Sequence, residues 1–152
     1  MRIREGLILL TMVGMMTGCS TSRPLSEAER ASQAAMRESP LVGERWEMSL
    51  IGTDEWWQGG TEAYFTLLPK GNLLQLSGSD GCHPLHGEAT LSDGRRIAIS
   101  GLATSRPACP GQPQASRVVD ILARAHRYLV DHDRLVLMGR DGHVLGGFER
   151  RK

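Results

Sequence analysis

Between residues 41 and 148 apolar side chains recur at every second position in short runs, and each run stops at glycine, aspartate or proline. Trp46, Met48 and Leu50 alternate with Arg45, Glu47 and Ser49, and Ala63, Phe65 and Leu67 repeat the pattern up to Pro69-Lys70-Gly71. Leu74 and Leu76 run on to Gly78-Ser79-Asp80-Gly81, Leu85, Ala89 and Leu91 lead to Ser92-Asp93-Gly94, and Ile97 and Ile99 reach Gly101. Successive side chains of a strand point to opposite faces, so this period predicts strands with one face buried and one wet. Asp-Gly and Pro-Lys-Gly breaks are hairpin signals. A chain that doubles back so often builds an antiparallel meander, curved or barrel-like.

One segment departs from that period. After Pro110-Gly111-Gln112-Pro113, residues 114–127 carry Val118, Ile121, Leu122 and Ala125 at helical spacing. Such a stripe must cover an apolar surface, and the concave side of the sheet is the natural one. Strands are expected again around Tyr128, over residues 135–137 and over 144–148, with turns at Asp131-His132-Asp133 and Arg140-Asp141-Gly142. The expected class is α+β, dominated by β.

The N-terminus belongs to a different regime. Arg2 and Arg4 precede an apolar run over residues 7–16, too short for the ~20 residues a membrane-spanning helix needs. A positive flank, a short apolar core and the small Thr17-Gly18 describe a secretory signal over residues 1–18. Met16-Thr17-Gly18-Cys19 resembles the bacterial lipobox. That resemblance implies cleavage before Cys19, lipid attachment on its sulfur and anchoring to a membrane. Ser20 after the cysteine implies the outer membrane, facing the periplasm. The alternative is an ordinary cleaved signal with Cys19 removed or free. Residues 19–40 hold few large apolar side chains between Pro24 and Pro40. They are expected as a flexible tether with a transient helix over 25–37, leaving 41–152 as the domain.

Charge and cysteine count follow from this division. Removing residues 1–18 takes away Arg2, Arg4 and Glu5, so Lys+Arg falls from 18 to 16 and Asp+Glu from 17 to 16. A neutral chain shows no basic excess of the kind that binds nucleic acid, and none is expected as a partner. With Cys19 assigned to lipid, Cys82 and Cys109 remain, an even number in an oxidising compartment. They are expected to form a disulfide worth about 3–4 kcal/mol on the chain-entropy model. The alternative is two buried reduced thiols.

The Cys82, His83, His86 and Cys109 group has the residue types of a zinc or copper site. Adjacent Cys and His chelate poorly, His83 and His86 would face opposite ways on a strand, and a disulfide uses both thiolates. No metal or other cofactor is expected, and these histidines, like His126, His132 and His143, are read as turn or surface residues. Ser77, Ser79 and Asp80 lie near His83 and His86 without the Gly-x-Ser-x-Gly context of a strained nucleophile. No catalytic residue is expected. Trp56-Trp57-Gln58-Gly59-Gly60 is the candidate binding loop. Adjacent tryptophans of one strand cannot both face the core, and exposed aromatics are enriched at hot spots. The competing reading has Trp56 or Trp57 plugging the end of the barrel.

Trp46, Gly81-Cys82, Gly87, Ile97 and Ile99 before Thr104 and Cys109, the single helix, then Tyr128 and Leu135-Val136-Leu137 together resemble the META domain of HslJ-like heat-shock lipoproteins. The resemblance covers about residues 41–149. It implies a half-barrel of antiparallel strands packed on a single helix and no known enzymatic activity. Where the family usually has Asn after the Gly-Cys pair, this chain has His83. The function so implied is that of a non-enzymatic, lipid-anchored envelope protein in envelope integrity or stress tolerance. The alternative is a periplasmic inhibitor or binding module that engages an envelope protein through an exposed loop.

Overall fold

Strand β1 (Arg45–Ile51) holds the molecule closed, because it pairs with both the next long strand and the last. The computed structural model describes residues 23–93, 95–104 and 109–152, with Thr104 described by its backbone alone. The signal, the lipobox and Cys19 lie outside the described residues. β2 (Glu55–Trp56) is a short strand on the C-terminal part of β1. β3 (Ala63–Lys70), β4 (Leu73–Asp80), β5 (Pro84–Ser92) and β6 (Arg96–Thr104) follow as antiparallel neighbours. β7 (Arg127–Asp131), β8 (Arg134–Met138) and β9 (Val144–Arg150) complete the order, and β9 returns to β1 through Trp46↔Arg150, Met48↔Phe148 and Ile51↔Gly146. Eight strands therefore close into a barrel, and the half-barrel expected from the sequence is corrected. No short-range pattern announces a pairing between the first and last strands.

The buried set follows the period-two pattern strand by strand. Ala63, Phe65 and Leu67, then Leu74 and Leu76, then Leu85, Ala89 and Leu91 all point inward. Trp46, Phe65 and Phe148 are fully buried, and the two phenylalanine rings meet edge to face with centroids 5.1 Å apart. Trp46 keeps its indole N–H satisfied by donating to the Leu41 carbonyl at 3.2 Å, which a buried donor requires. β1 breaks the expected phase. Its register against β9 shifts between Met48 and Leu50, and the inward residue is Ile51 instead of Leu50. One extra residue on the bulged strand turns the following side chains over.

The barrel has one weak joint. β6 and β7 share a single residue pair, Arg96↔Arg127, supported by hydrogen bonds from the Ile97 N–H to the His126 carbonyl and from the Tyr128 N–H to the Arg95 carbonyl, each 3.0 Å. Helix α2 (Ala115–Arg124) bridges that joint, touching β6 and β4 on one side and β8, β9 and β1 on the other. Val118, Ile121 and Leu122 form its buried stripe, as their spacing predicts. The helix stops short of residue 127, where the chain enters β7.

A second helix corrects the expectation of a single one. α1 (Glu27–Glu38) occupies most of the stretch expected as tether and packs mainly on β5. Its start is a capping box. The Ser26 hydroxyl accepts from the Glu29 N–H at 3.2 Å, and the Glu29 carboxylate accepts from the Ser26 N–H at 2.8 Å. Met36 is the apolar residue it buries, and Gln33 donates to the Asn72 side chain at 2.9 Å. Just beyond it, the Ser39 and Tyr128 hydroxyls lie 3.2 Å apart in the interior. Among the described residues no helix is long and apolar enough to cross a membrane.

Candidate functional site

Four segments converge beside the α2 N-terminus: the β4–β5 turn, the residues before α2, the loop after β2, and the start of α2 itself. The turn between β4 and β5 is organised by Asp80, which is buried. One of its carboxylate oxygens accepts from the Cys82 N–H at 2.8 Å and the His83 N–H at 2.6 Å. The Asp80 N–H donates to the His83 carbonyl at 3.0 Å, and Ser79 Oγ accepts from the Gly81 N–H at 3.1 Å. Gly81 sits at φ +92°, the left-handed region that glycine enters without a Cβ penalty. Asp80 and Gly81 thus set the turn, and His83 itself stays out of the left-handed region.

Cys82 and Cys109 are joined by a disulfide, their Cα atoms 6.4 Å apart. The bond ties the β4–β5 turn to the segment that leads into α2. His83 does not point away into solvent as a turn histidine would. Its Nε2 is 3.8 Å from both sulfurs, its Nδ1 is 3.7 Å from Cys109 Sγ, and Nδ1 lies 3.6 Å from the second carboxylate oxygen of Asp80. His86 stands apart, exposed on β5 opposite Ala103. His132 and His143 are exposed beside Asp131 and Asp141.

The two adjacent tryptophans part company. The Trp57 ring lies so close to the turn that a Cβ on Gly81 would meet its Cζ2 at 2.5 Å. Its indole N–H donates to the Thr61 carbonyl at 3.3 Å. Trp56 points outward and is 65% exposed. It borders a shallow depression of about 220 Å³ lined by Leu50, Val136, Gly147 and Phe148. A larger depression of about 470 Å³, between Ile97 and Arg140 at the weak joint, contains none of the candidate binding residues.

Gln114 anchors the exposed tryptophan, and nothing in the sequence reading singled it out. Its buried amide donates to Glu55 Oε1 at 2.8 Å and to the Trp56 carbonyl at 3.2 Å, and its amide oxygen accepts from the Gln58 N–H at 2.9 Å. Glu55 also pairs with Arg117 on the first turn of α2. The Gln114 hydrogen bond, then the one from Arg117, holds the Glu55 carboxyl below its ordinary value. The segment is therefore fixed at residues 55, 56 and 58 while the Trp56 side chain is left free. A large, rigid aromatic held this way can contact a partner with little ordering left to do on binding.

Comparison with known proteins gives a family and a fold. A family model, the META domain, matches residues 39–152. No curated protein matches the sequence. A protein solved by NMR is similar over 72% of this chain and 90% of its own, at 20% identity and a TM-score of 0.55. A DUF4847 family protein from Bacteroides vulgatus, known from a crystal structure, is similar over 74% of this chain and 96% of its own, at 14% identity and the same TM-score of 0.55. At such identities these two solved structures show a shared fold.

Proposed function

The chain belongs to the META domain family, and from that premise we propose a non-enzymatic, lipid-anchored envelope protein that acts in envelope integrity or stress tolerance. The lipobox-like Met16-Thr17-Gly18-Cys19 supports an anchor at the outer membrane on its periplasmic side. More than one acyl chain on Cys19 would hold the domain there stably. The barrel would then present a fixed surface close to the membrane, closed at one corner by Cys82–Cys109. The observation that carries the reading is the lipobox-like Met16-Thr17-Gly18-Cys19 ahead of a META domain.

A second reading, in which the Trp56 segment binds an envelope protein as an inhibitor or adaptor would, is favoured by the contrast at Gln114: a buried amide and an ion pair immobilise a segment whose tryptophan remains 65% exposed. One experiment separates the two. Cells carrying wild type, Cys19→Ala or Trp56→Ala are fractionated and challenged with envelope stress. Cys19→Ala should leave the membrane fraction and lose protection; retention in the membrane would sink the anchor. Protection lost in Trp56→Ala, with membrane location and fold kept, points to a partner at that segment. Unchanged protection in Trp56→Ala leaves the scaffold reading standing alone.

A further inference from the structure

The Cys82–Cys109 corner contains more than a cross-link needs. A disulfide requires no imidazole, yet His83 Nε2 is 3.8 Å from each sulfur. In a tetrahedral zinc site with Zn–S near 2.3 Å and Zn–N near 2.0–2.1 Å, sulfur and nitrogen ligands stand about 3.5–3.6 Å apart. The two sulfur-to-nitrogen edges are therefore close to those of a metal site, while the sulfur-to-sulfur edge is a covalent bond that must break and open to about 3.8 Å around an ion. All three donor atoms lie within 4.8 Å of one another.

The surroundings of His83 have the matching form. Metal-bound imidazoles usually direct their other ring nitrogen at a carboxylate, which fixes the ring and raises its basicity. Here Nδ1 faces the Asp80 carboxylate at 3.6 Å, and two backbone N–H groups pin that buried carboxylate. The ring edge lies beside both sulfurs, with Cys109 Sγ 3.7 Å from Nδ1 and 3.8 Å from Nε2, so a small ring rotation is needed to aim Nε2 at an ion. Cys82 is exposed and Cys109 half-buried, so both a reductant and an ion can reach the pair.

We propose that reduction of Cys82–Cys109 turns this corner into a site for a thiophilic d10 cation, zinc(II) or copper(I), held by the two thiolates and His83 Nε2. For zinc, solvent water completes the tetrahedron. In the reductive step a dithiol transfers two electrons and two protons and becomes a disulfide itself, while the protein S–S bond becomes two thiols. Binding of the ion then releases those two protons, so affinity rises with pH. With Cα atoms 6.4 Å apart, side-chain rotation alone lets the freed sulfurs separate around an ion. The corner is cross-linked in both redox states, by a bond in one and by an ion in the other. The family's usual Asn at position 83 could not complete this set; the imidazole can.

The test uses the full chain, prepared oxidised and anaerobically reduced, and titrated with zinc against a chromophoric chelator. The reduced protein should bind one zinc and the oxidised protein none, and reduced His83→Asn should bind at least about tenfold more weakly. Cobalt(II) in place of zinc should give the visible bands of a tetrahedral ion with thiolate charge transfer, weakened in His83→Asn. Zinc should raise the melting temperature of the reduced wild type and not that of reduced His83→Asn. That readout guards against binding to unfolded thiols, which would leave the melting temperature unchanged or lower it. Copper(I), titrated in the same way, shows which ion the site selects; tight binding of either with the His83 dependence supports the site. No binding of either ion, equal affinity in His83→Asn, or no rise in melting temperature overturns it.

Discussion

The two helices are built on opposite terms. α1 has what local chemistry can offer: a reciprocal capping box, Glu27 and Glu29 in its first turn and Arg37 in its last. Yet Met36 is the one side chain it buries. α2 has no side-chain cap and no acidic residue in its first turn. Gln114, at its cap position, has helical backbone angles and directs its amide at the Trp56 segment instead. Four of its residues are buried, and it spans the weakest joint of the barrel. An isolated helix as short as α2 would not survive in water, so its stability must come from what it covers. α1 has from its own sequence the caps that α2 lacks, and α2 has from its place the burial that α1 lacks.

The sharpest way to break this contrast is to empty the face of α2. Leu122 is fully buried, so Leu122→Ala should cost about 2–5 kcal/mol, read as a lower denaturant midpoint for the whole domain. An equal loss in Met36→Ala would erase the distinction. The next effect should come from Gln114→Ala. It removes three hydrogen bonds and leaves the Gln58 N–H without its partner, a loss of about 1–3 kcal/mol. The expected signature is a mobile Trp56, seen in fluorescence anisotropy, with far-ultraviolet circular dichroism unchanged. Loss of helical signal would mean that Gln114 caps α2 after all.

The same contrast explains what could be read from the sequence. Period-two runs located the strands and helical spacing the stripe of α2, because both signals are local and repeat. Counting cysteines was enough to pair Cys82 with Cys109. The closure of β1 on β9 left no local mark, and it is what turns a half-barrel into a barrel. The bulge at Ser49 turned Ile51 inward in place of Leu50, a slip that alternation alone cannot date. Ser26-x-x-Glu29 has the pattern of a capping box, a signal the expectation of a tether passed over because the stretch is so poor in large apolar residues. Adjacency told that Trp56 and Trp57 must diverge; which one packs was decided by the bare backbone of Gly81, distant in sequence. A polar residue before a helix reads as solvent-facing, so Gln114 was missed. Its role exists only where Glu55, Trp56 and Gln58 come back to meet it.

The smallest effect should appear at the cap of α1, and there the measurement must be local. Ser26→Ala removes the hydroxyl that accepts from the Glu29 N–H, a change of about 0.5–2 kcal/mol in helix stability. Because α1 contributes Met36 alone to the core, the global midpoint should move little while amide exchange over residues 27–38 quickens. The pH dependence tests the same box from its other half. Hydrogen bonds from the Ser26 backbone N–H first, and from its hydroxyl second, hold the Glu29 carboxyl below its ordinary value. A carboxyl lowered in the folded state contributes stability that is present above its unfolded pKa, roughly 4.3, and is lost as pH falls through the lowered value. Protection of α1 amides should therefore persist at pH 5 and fade only below about pH 4.3. In Ser26→Ala the hydroxyl contribution is gone while the backbone N–H remains, so the acid loss should be smaller and should be complete at a higher pH than in the wild type. Identical pH profiles for the two proteins would mean that docking on β5 holds α1 in place. The two helices would then differ in extent of burial alone.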